Sequence, residues 1–225
     1  MSNPNPTHQP RTVVVAGAGG PTGRAVAARL AARGDTVIGV GRHEADGVIA
    51  ADLTDPKAVR ELARKIQEEH GRVDGVVHLV GGWRGSKTFA ETDLADWDIL
   101  HEQLIRTLQN VSLAFEPALR ESDGGRFAIV SAKAAQEPTQ GNAAYAAAKA
   151  AAEAWTLALA DALRGTESAA TILVIKALVN DDMRAASPER RFPGFTDVND
   201  LAEAVAGLWD RPAGEVNGTR LDLTT

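Results

Sequence analysis

Short apolar runs rich in β-branched residues alternate with longer stretches of helical spacing along nearly the whole chain, and this alternation limits the fold more than any other feature. Residues 12–16, 36–40, 48–51, 74–80, 126–131, 169–175 and 219–223 read as strands. Residues 22–33, 55–70, 93–121, 142–164 and 199–209 read as helices. Gly34 and Gly165 stop two of these helices, and Asp55-Pro56 starts another with a capping carboxylate and a proline in the first turn. Pro117 is expected to kink or break the 93–121 segment. Strands separated by helices imply βαβ units and a mainly parallel sheet, and the nearly all-apolar strands fit a sheet covered on both faces. The expectation is an α/β fold: a Rossmann-type doubly wound domain over residues 12–225, with about seven strands and helices on both faces. Polar, proline-rich residues 1–11 are expected to form a disordered arm. The long loop 181–197 carries Arg184, Arg190, Arg191, Phe192 and Phe195 and fits either a lid or a solvated insert.

Composition removes several functions. A net charge of −6 argues against broad binding to nucleic acid or anionic membranes. The chain has no cysteine, so disulfides, thiolate metal sites and cysteine nucleophiles are absent together. No apolar run approaches the length of a membrane span. A cytoplasmic setting, with no nucleic-acid or membrane partner and no metal, is expected.

The segment Gly17-Ala18-Gly19-Gly20-Pro21-Thr22-Gly23 lies between the first strand and the first helix, where a dinucleotide fingerprint belongs. Its spacing is Gly-x-x-Gly-x-x-Gly through Gly17, Gly20 and Gly23. Glycines let the backbone approach a pyrophosphate, and a helix N-terminus offers free N–H groups with positive partial charge. The second strand ends in Gly41-Arg42, with no carboxylate for a ribose 2′-hydroxyl. Arg42 is either a plain surface cation or a bidentate grip for the 2′-phosphate, which favours NADP(H) over NAD(H). Asp52 is placed either to accept from an adenine amino group or to cap a turn.

The chain's one tyrosine, Tyr145, has a lysine four residues on, Lys149, in an alanine-rich helical stretch. Residues four apart share a helix face, and an ammonium stabilises a nearby phenolate, so this pair suits proton donation. Ser131 closes the fifth strand fourteen residues before Tyr145.

With the glycine turn, Asp52, Ser131 and Tyr145-x-x-x-Lys149 in this order, the chain resembles the short-chain dehydrogenase/reductase family over nearly its whole length. The resemblance implies hydride transfer between a nicotinamide and a carbonyl or alcohol. Tyr145 would be the general acid, and Lys149 would lower its pKa and bind the nicotinamide ribose. Ser131 would hydrogen-bond the substrate oxygen. Thr22, Leu53, Gly81 and Val179 would join the glycine turn, Arg42 and Asp52 in holding the cofactor. Pairing through helices 93–121 and 142–164 would give a homodimer or homotetramer.

Some positions depart from the family pattern. Pro21 stands where a middle glycine is usual, Leu79-Val80-Gly81-Gly82 where Asn-Asn-Ala-Gly is common, and Leu104 at the catalytic asparagine position. Asn110 is out of register for that role. Lys176-Ala177 replaces the usual Pro-Gly, and Asp181 the threonine that follows. Gly81-Gly82-Trp83 resembles dihydropteridine reductases, and Trp83 either stacks on a planar substrate or packs under a loop. Two alternatives therefore stand beside the reductase: a non-catalytic NAD(P) sensor and a dihydropteridine-reductase-like enzyme. A sugar epimerase or dehydratase would need more C-terminal chain.

Overall fold

The computed structural model describes residues 10–45 and 47–224. Most of the expected arm, residues 1–9, lies outside the described residues. Arg11 does not behave as arm: its guanidinium donates to both Asp35 carboxylate oxygens, at 2.8 and 2.7 Å, and covers the Trp209 ring at 4.6 Å. Arg11, one residue before the first strand, is thus part of the packed structure.

Seven parallel strands form the main sheet: β1 (Thr12–Ala16), β2 (Thr36–Gly41), β3 (Val48–Ala50), β4 (Gly75–His78), β5 (Arg126–Ala132), β6 (Ala169–Ile175) and, after the short pair β7 (Leu178–Val179) and β8 (Thr196–Asp197), β9 (Arg220–Asp222). Their order is β3-β2-β1-β4-β5-β6-β9. Winding reverses between β1 and β4, so the loops leaving these two strands diverge and open a crevice at their C-terminal ends.

The helices are α1 (Pro21–Ala32), α2 (Pro56–His70), α3 (Leu94–Leu100), α4 (Thr107–Glu121), α5 (Ala143–Ala162), α6 (Asp181–Ala186), α7 (Val198–Ala206) and α8 (Ala213–Val216). Alternation along each strand feeds two cores. Val14, Val76, Phe127 and Ile129 face α2, α4 and α5, where they meet Val59, Leu108, Phe115 and Ala152. Val13, Val15, Val77 and Ala128 face α1 and α7, where they meet Val26, Leu30, Leu201 and Val205. Phe115 and Phe127 are fully buried, and trimming either to alanine would cost about 3–5 kcal/mol.

Three local expectations change. Pro117 does not break α4, which runs on to Glu121. The irregularity falls earlier, where His101–Arg106 widens into π-helical turns between α3 and α4. The 181–197 segment is not all loop. Asn180 accepts from Met183 N–H at 2.8 Å and starts α6. The β7–β8 ladder and an Arg184–Asp197 ion pair at 2.5 Å then tie the two ends of the segment together.

Candidate active site

The glycine turn is built by close approach of backbone to backbone. Gly17 has φ 93°, and its Cα faces the Leu79–Val80 peptide, where a methyl group would stand 3.0 Å from the Leu79 carbonyl carbon. Gly23 lies across the same turn, and a methyl group there would sit 2.2 Å from the Gly17 carbonyl oxygen. These two glycines are obligatory for sterics. Gly20 is the N-cap of α1 in extended conformation, and a methyl group on it would meet only ordinary contact at 3.6 Å. Above Gly19 nothing lies within 4 Å. That open space sits at the amino end of α1, beside Thr22 and Gly23, and fits a pyrophosphate held by helix N–H groups. Gly17 and Ala18 N–H both donate to Val40 O, which fixes the turn to the end of β2.

At the ribose end, Gly41 faces the turn, and a methyl group on it would lie 3.9 Å from Gly19 N. The exposed Arg42 guanidinium is the cation next to it, close enough to help hold the Asp52 carboxyl below its usual range. The larger causes of that depression are hydrogen bonds from Thr54. Asp52 Oδ1 accepts from Thr54 Oγ1 at 2.6 Å and Thr54 N at 2.9 Å, so of its two expected uses the turn cap is visible. Leu53 turns its side chain inward. Asn110, excluded from catalysis by register, serves the fold instead. Its amide donates to Leu53 O and Thr54 O at 3.0 and 2.9 Å and clamps this loop to α4.

On α5, Tyr145 and Lys149 are brought together. The ammonium lies 5.8 Å from the centre of the Tyr145 ring and donates to Val130 O on β5 at 2.7 Å. Burial pushes the phenol up to about 12 and the ammonium down to about 8, the latter opposed by attraction to Glu153. The expected lowering of Tyr145 by Lys149 is thus reversed here, because desolvation dominates and the ammonium is turned to a carbonyl. The phenol remains a protonated donor throughout the neutral range.

Ser131 requires a correction. Strand alternation places it on the same face as Phe127 and Ile129, towards α5. It is fully buried and donates to Glu153 Oε1 at 2.5 Å. Its hydroxyl is committed inside the protein and is not offered to a substrate oxygen. Ala132, the next residue, has only a methyl group.

Leu104 is buried in the π-helical segment, and a methyl group on Gly81 would meet its Cδ2 at 2.7 Å. A methyl group on Gly82 would meet Gln103 Oε1 at 2.8 Å. The two glycines are therefore the complement of this wide turn, and Gly81 stays exposed at the rim. Trp83 follows, 61% exposed, so it does not pack under a loop. Val179 lies in the β7–β8 ladder with its side chain buried. Asp181 pairs with Arg184 at 3.2 Å.

Two residues escaped the sequence reading. His78 ends β4, fully buried; its Nε2 shares a 3.2 Å hydrogen bond with Thr107 Oγ1, and its Nδ1 has no partner among the described residues. Burial and nearby Lys149 hold it down to about 3. Glu153 is the other, and its signal was legible: an acid amid the alanines of α5, one turn beyond Lys149.

A family model described as short chain dehydrogenase matches residues 11–191, and the chain belongs to the short-chain dehydrogenase/reductase family of NAD(P)-dependent oxidoreductases. One relative is the 3-oxoacyl-(acyl-carrier-protein) reductase FabG of Escherichia coli K12, 26% identical over 233 residues that span 95% of each chain. The fold also matches a 3-ketoacyl-(acyl-carrier-protein) reductase from Brucella melitensis complexed with NADH, with TM-score 0.79, 22% identity and coverage of 95% of this chain and 96% of that one. A short-chain dehydrogenase from Shigella flexneri 2a strain 301 complexed with NADP matches with TM-score 0.82, 22% identity and coverage of 94% and 96%. Among the described residues, no helix is long and apolar enough to cross a membrane, and no cluster of acids and histidines could hold a metal.

Proposed function

We propose that residues 12–225 act as one NADP(H)-dependent unit that reduces a ketone, quinone or similar conjugated carbonyl in the cytoplasm. The observation that carries this reading is the Tyr145–Lys149 pair, with the ammonium fixed to the end of β5. A bound nicotinamide supplies the hydride. As the carbonyl carbon is reduced, its bonding pair moves to oxygen, and Tyr145 donates the phenolic proton there. An alkoxide is a far stronger base than a phenolate, so even a phenol pushed up to about 12 gives its proton downhill. Lys149 stays charged below about pH 8 and stabilises the resulting phenolate. Gly17, Gly20, Thr22 and Gly23 would hold the pyrophosphate, Arg42 a 2′-phosphate, Asp52 and Leu53 the adenine side, and Gly81 and Val179 the nicotinamide side.

The test is steady NADPH oxidation against a carbonyl panel, abolished in Tyr145→Phe. Tight NADPH binding with no turnover on any substrate would instead support the sensor. A second reading, a dihydropteridine-reductase-like enzyme, is favoured by the bare Trp83 ring beside Gly81-Gly82. Turnover of a quinonoid pterin, lost in Trp83→Ala, would select it. Exposed Leu113 on α4 and Leu157 on α5 support assembly as a homodimer or homotetramer, which light scattering at micromolar concentration would test.

A further inference from the structure

An acid buried in an apolar helix needs partners, and Glu153 has an unusual set. It is 7% exposed and stands one turn beyond Lys149 on α5, on the same face. Ser131 on β5 donates to its Oε1 at 2.5 Å, and Arg220 on β9 contacts Oε1 at 3.1 Å and Oε2 at 2.9 Å. Four of the seven buried residues of α5 are alanines (Ala146, Ala148, Ala152 and Ala160), and besides Glu153 only Thr156 and Leu159 add larger buried side chains. The carboxylate is thus a polar pin between α5 and two strands. Ser131 follows directly on Val130, whose carbonyl receives the Lys149 ammonium. One strand segment therefore holds the lysine and its neighbouring acid in register.

We propose that Glu153, braced by Ser131 and Arg220, is a positioning residue for Lys149: it docks α5 so that the ammonium reaches the end of β5, and it supplies the negative charge that keeps the ammonium protonated there. This rests on the reading of Lys149 as the partner of Tyr145. The groups facing Lys149 are few. Its own helix contributes Tyr145 and Glu153, β4 contributes the buried His78, and β5 contributes the Val130 carbonyl and the Ser131 hydroxyl. Arg220 from β9 is engaged on the carboxylate. Strand β6 carries no charged residue; His101, Glu102 and Arg106 of the π-helical segment line a cleft with Thr54 and Asp98; Lys133 after β5 pairs with Glu137 at 3.4 Å, Glu116 on α4 with Arg120 at 2.8 Å, and Asp96 on α3 with Arg84 at 3.7 Å. Glu153 is the attractive charge that acts against the desolvation of Lys149.

The experiment follows Lys149 directly. Lysine is labelled with carbon-13 at Cε, and Lys149 is assigned among the six lysines by the signal missing in Lys149→Arg. Its titration is recorded in the full-length wild type, in Glu153→Gln and in Arg220→Gln, beside the pH profile of NADPH-dependent reduction. Glu153→Gln keeps the shape and loses the charge, so the Lys149 titration and the alkaline limb should both move to lower pH, by about one unit. That is a roughly tenfold loss of rate on the high-pH side of the limb. Arg220→Gln removes the competing cation and should move both the other way. Opposite shifts are not what a purely structural pin would give. If the Lys149 titration stays at the wild-type pH in whichever variant folds, the proposal is overturned. If instead Lys149→Met reduces substrate at the wild-type rate, the underlying catalytic reading fails, while the titration arm still decides whether Glu153 controls the ammonium.

Discussion

The two ends of the site follow different rules. At the nucleotide end, residue identity is dictated by backbone meeting backbone: a methyl group on Gly23 would overlap Gly17, and one on Gly17 would press on the Leu79–Val80 peptide. At the reducing end, identity is dictated by where side chains point. Ser131 and Ala132 differ by one residue along β5, yet the hydroxyl belongs to the interior and the neighbouring position carries only a methyl group. A steric rule leaves a spacing signature that survives in sequence. An orientational rule depends on strand parity, where a shift of one residue changes the face.

Substitutions can break this contrast, and the largest effect should come from Tyr145→Phe. Loss of the proton donor should lower kcat about a thousandfold while leaving NADPH affinity intact, as read by fluorescence titration. An equal fall in affinity would mean that the phenol is part of the nucleotide site instead. Next, Gly23→Ala should cost more than a hundredfold in NADPH affinity, together with a lower Tm, on the order of 3 kcal/mol of forced backbone displacement. Gly19→Ala should leave Tm unchanged, since its methyl group meets no protein atom, and should weaken NADPH only by intruding on the space assigned to the pyrophosphate. A comparable fall in Tm from both would show that the turn is not governed by sterics.

Arg42→Ala should raise the KM for NADPH about tenfold, with little change for NADH. Equal effects on both cofactors would remove the 2′-phosphate argument. Ser131→Ala should lower kcat less than tenfold and cost about 1 kcal/mol of stability, because it removes a buried hydrogen bond. A fall of a hundredfold or more at unchanged stability would return Ser131 to the reacting atoms and undo the contrast.

The last effect, on acid stability and not on turnover, concerns His78. It is neutral in the fold down to about pH 3 and titrates near 6.5 when unfolded. Between those values the unfolded chain binds the extra proton, so this group's stabilising effect shrinks as pH falls from about 6.5 towards 3. His78→Asn should therefore flatten the acid side of the stability curve, and an unchanged acid midpoint in denaturant titrations would contradict it.

The strand–helix alternation was legible because parallel sheets need apolar strands and crossover helices, and β1 and β6 fall where the apolar runs are. The glycine turn was legible for the steric reason above. The Tyr145–Lys149 pair followed from helix periodicity alone. The direction of the Tyr145 shift was not legible, since it depends on how deeply α5 settles and which acceptor the lysine finds. The π-helical segment escaped because no proline or glycine marks 101–106; it shows only in what packs on it. The β7–β8 ladder escaped because two-residue strands carry no periodicity.

That wide turn makes sequence change in this corner path-dependent. A methyl group on Gly81 would meet Leu104 Cδ2 at 2.7 Å, so the end of the leucine would have to swing aside to admit it. Installing asparagine at 104 alone would strand an amide in an apolar slot, and enlarging position 81 alone would collide with the leucine. What can stand at 81 is therefore limited by where the end of the leucine at 104 can move, so the two positions constrain each other across the turn although they lie far apart in sequence.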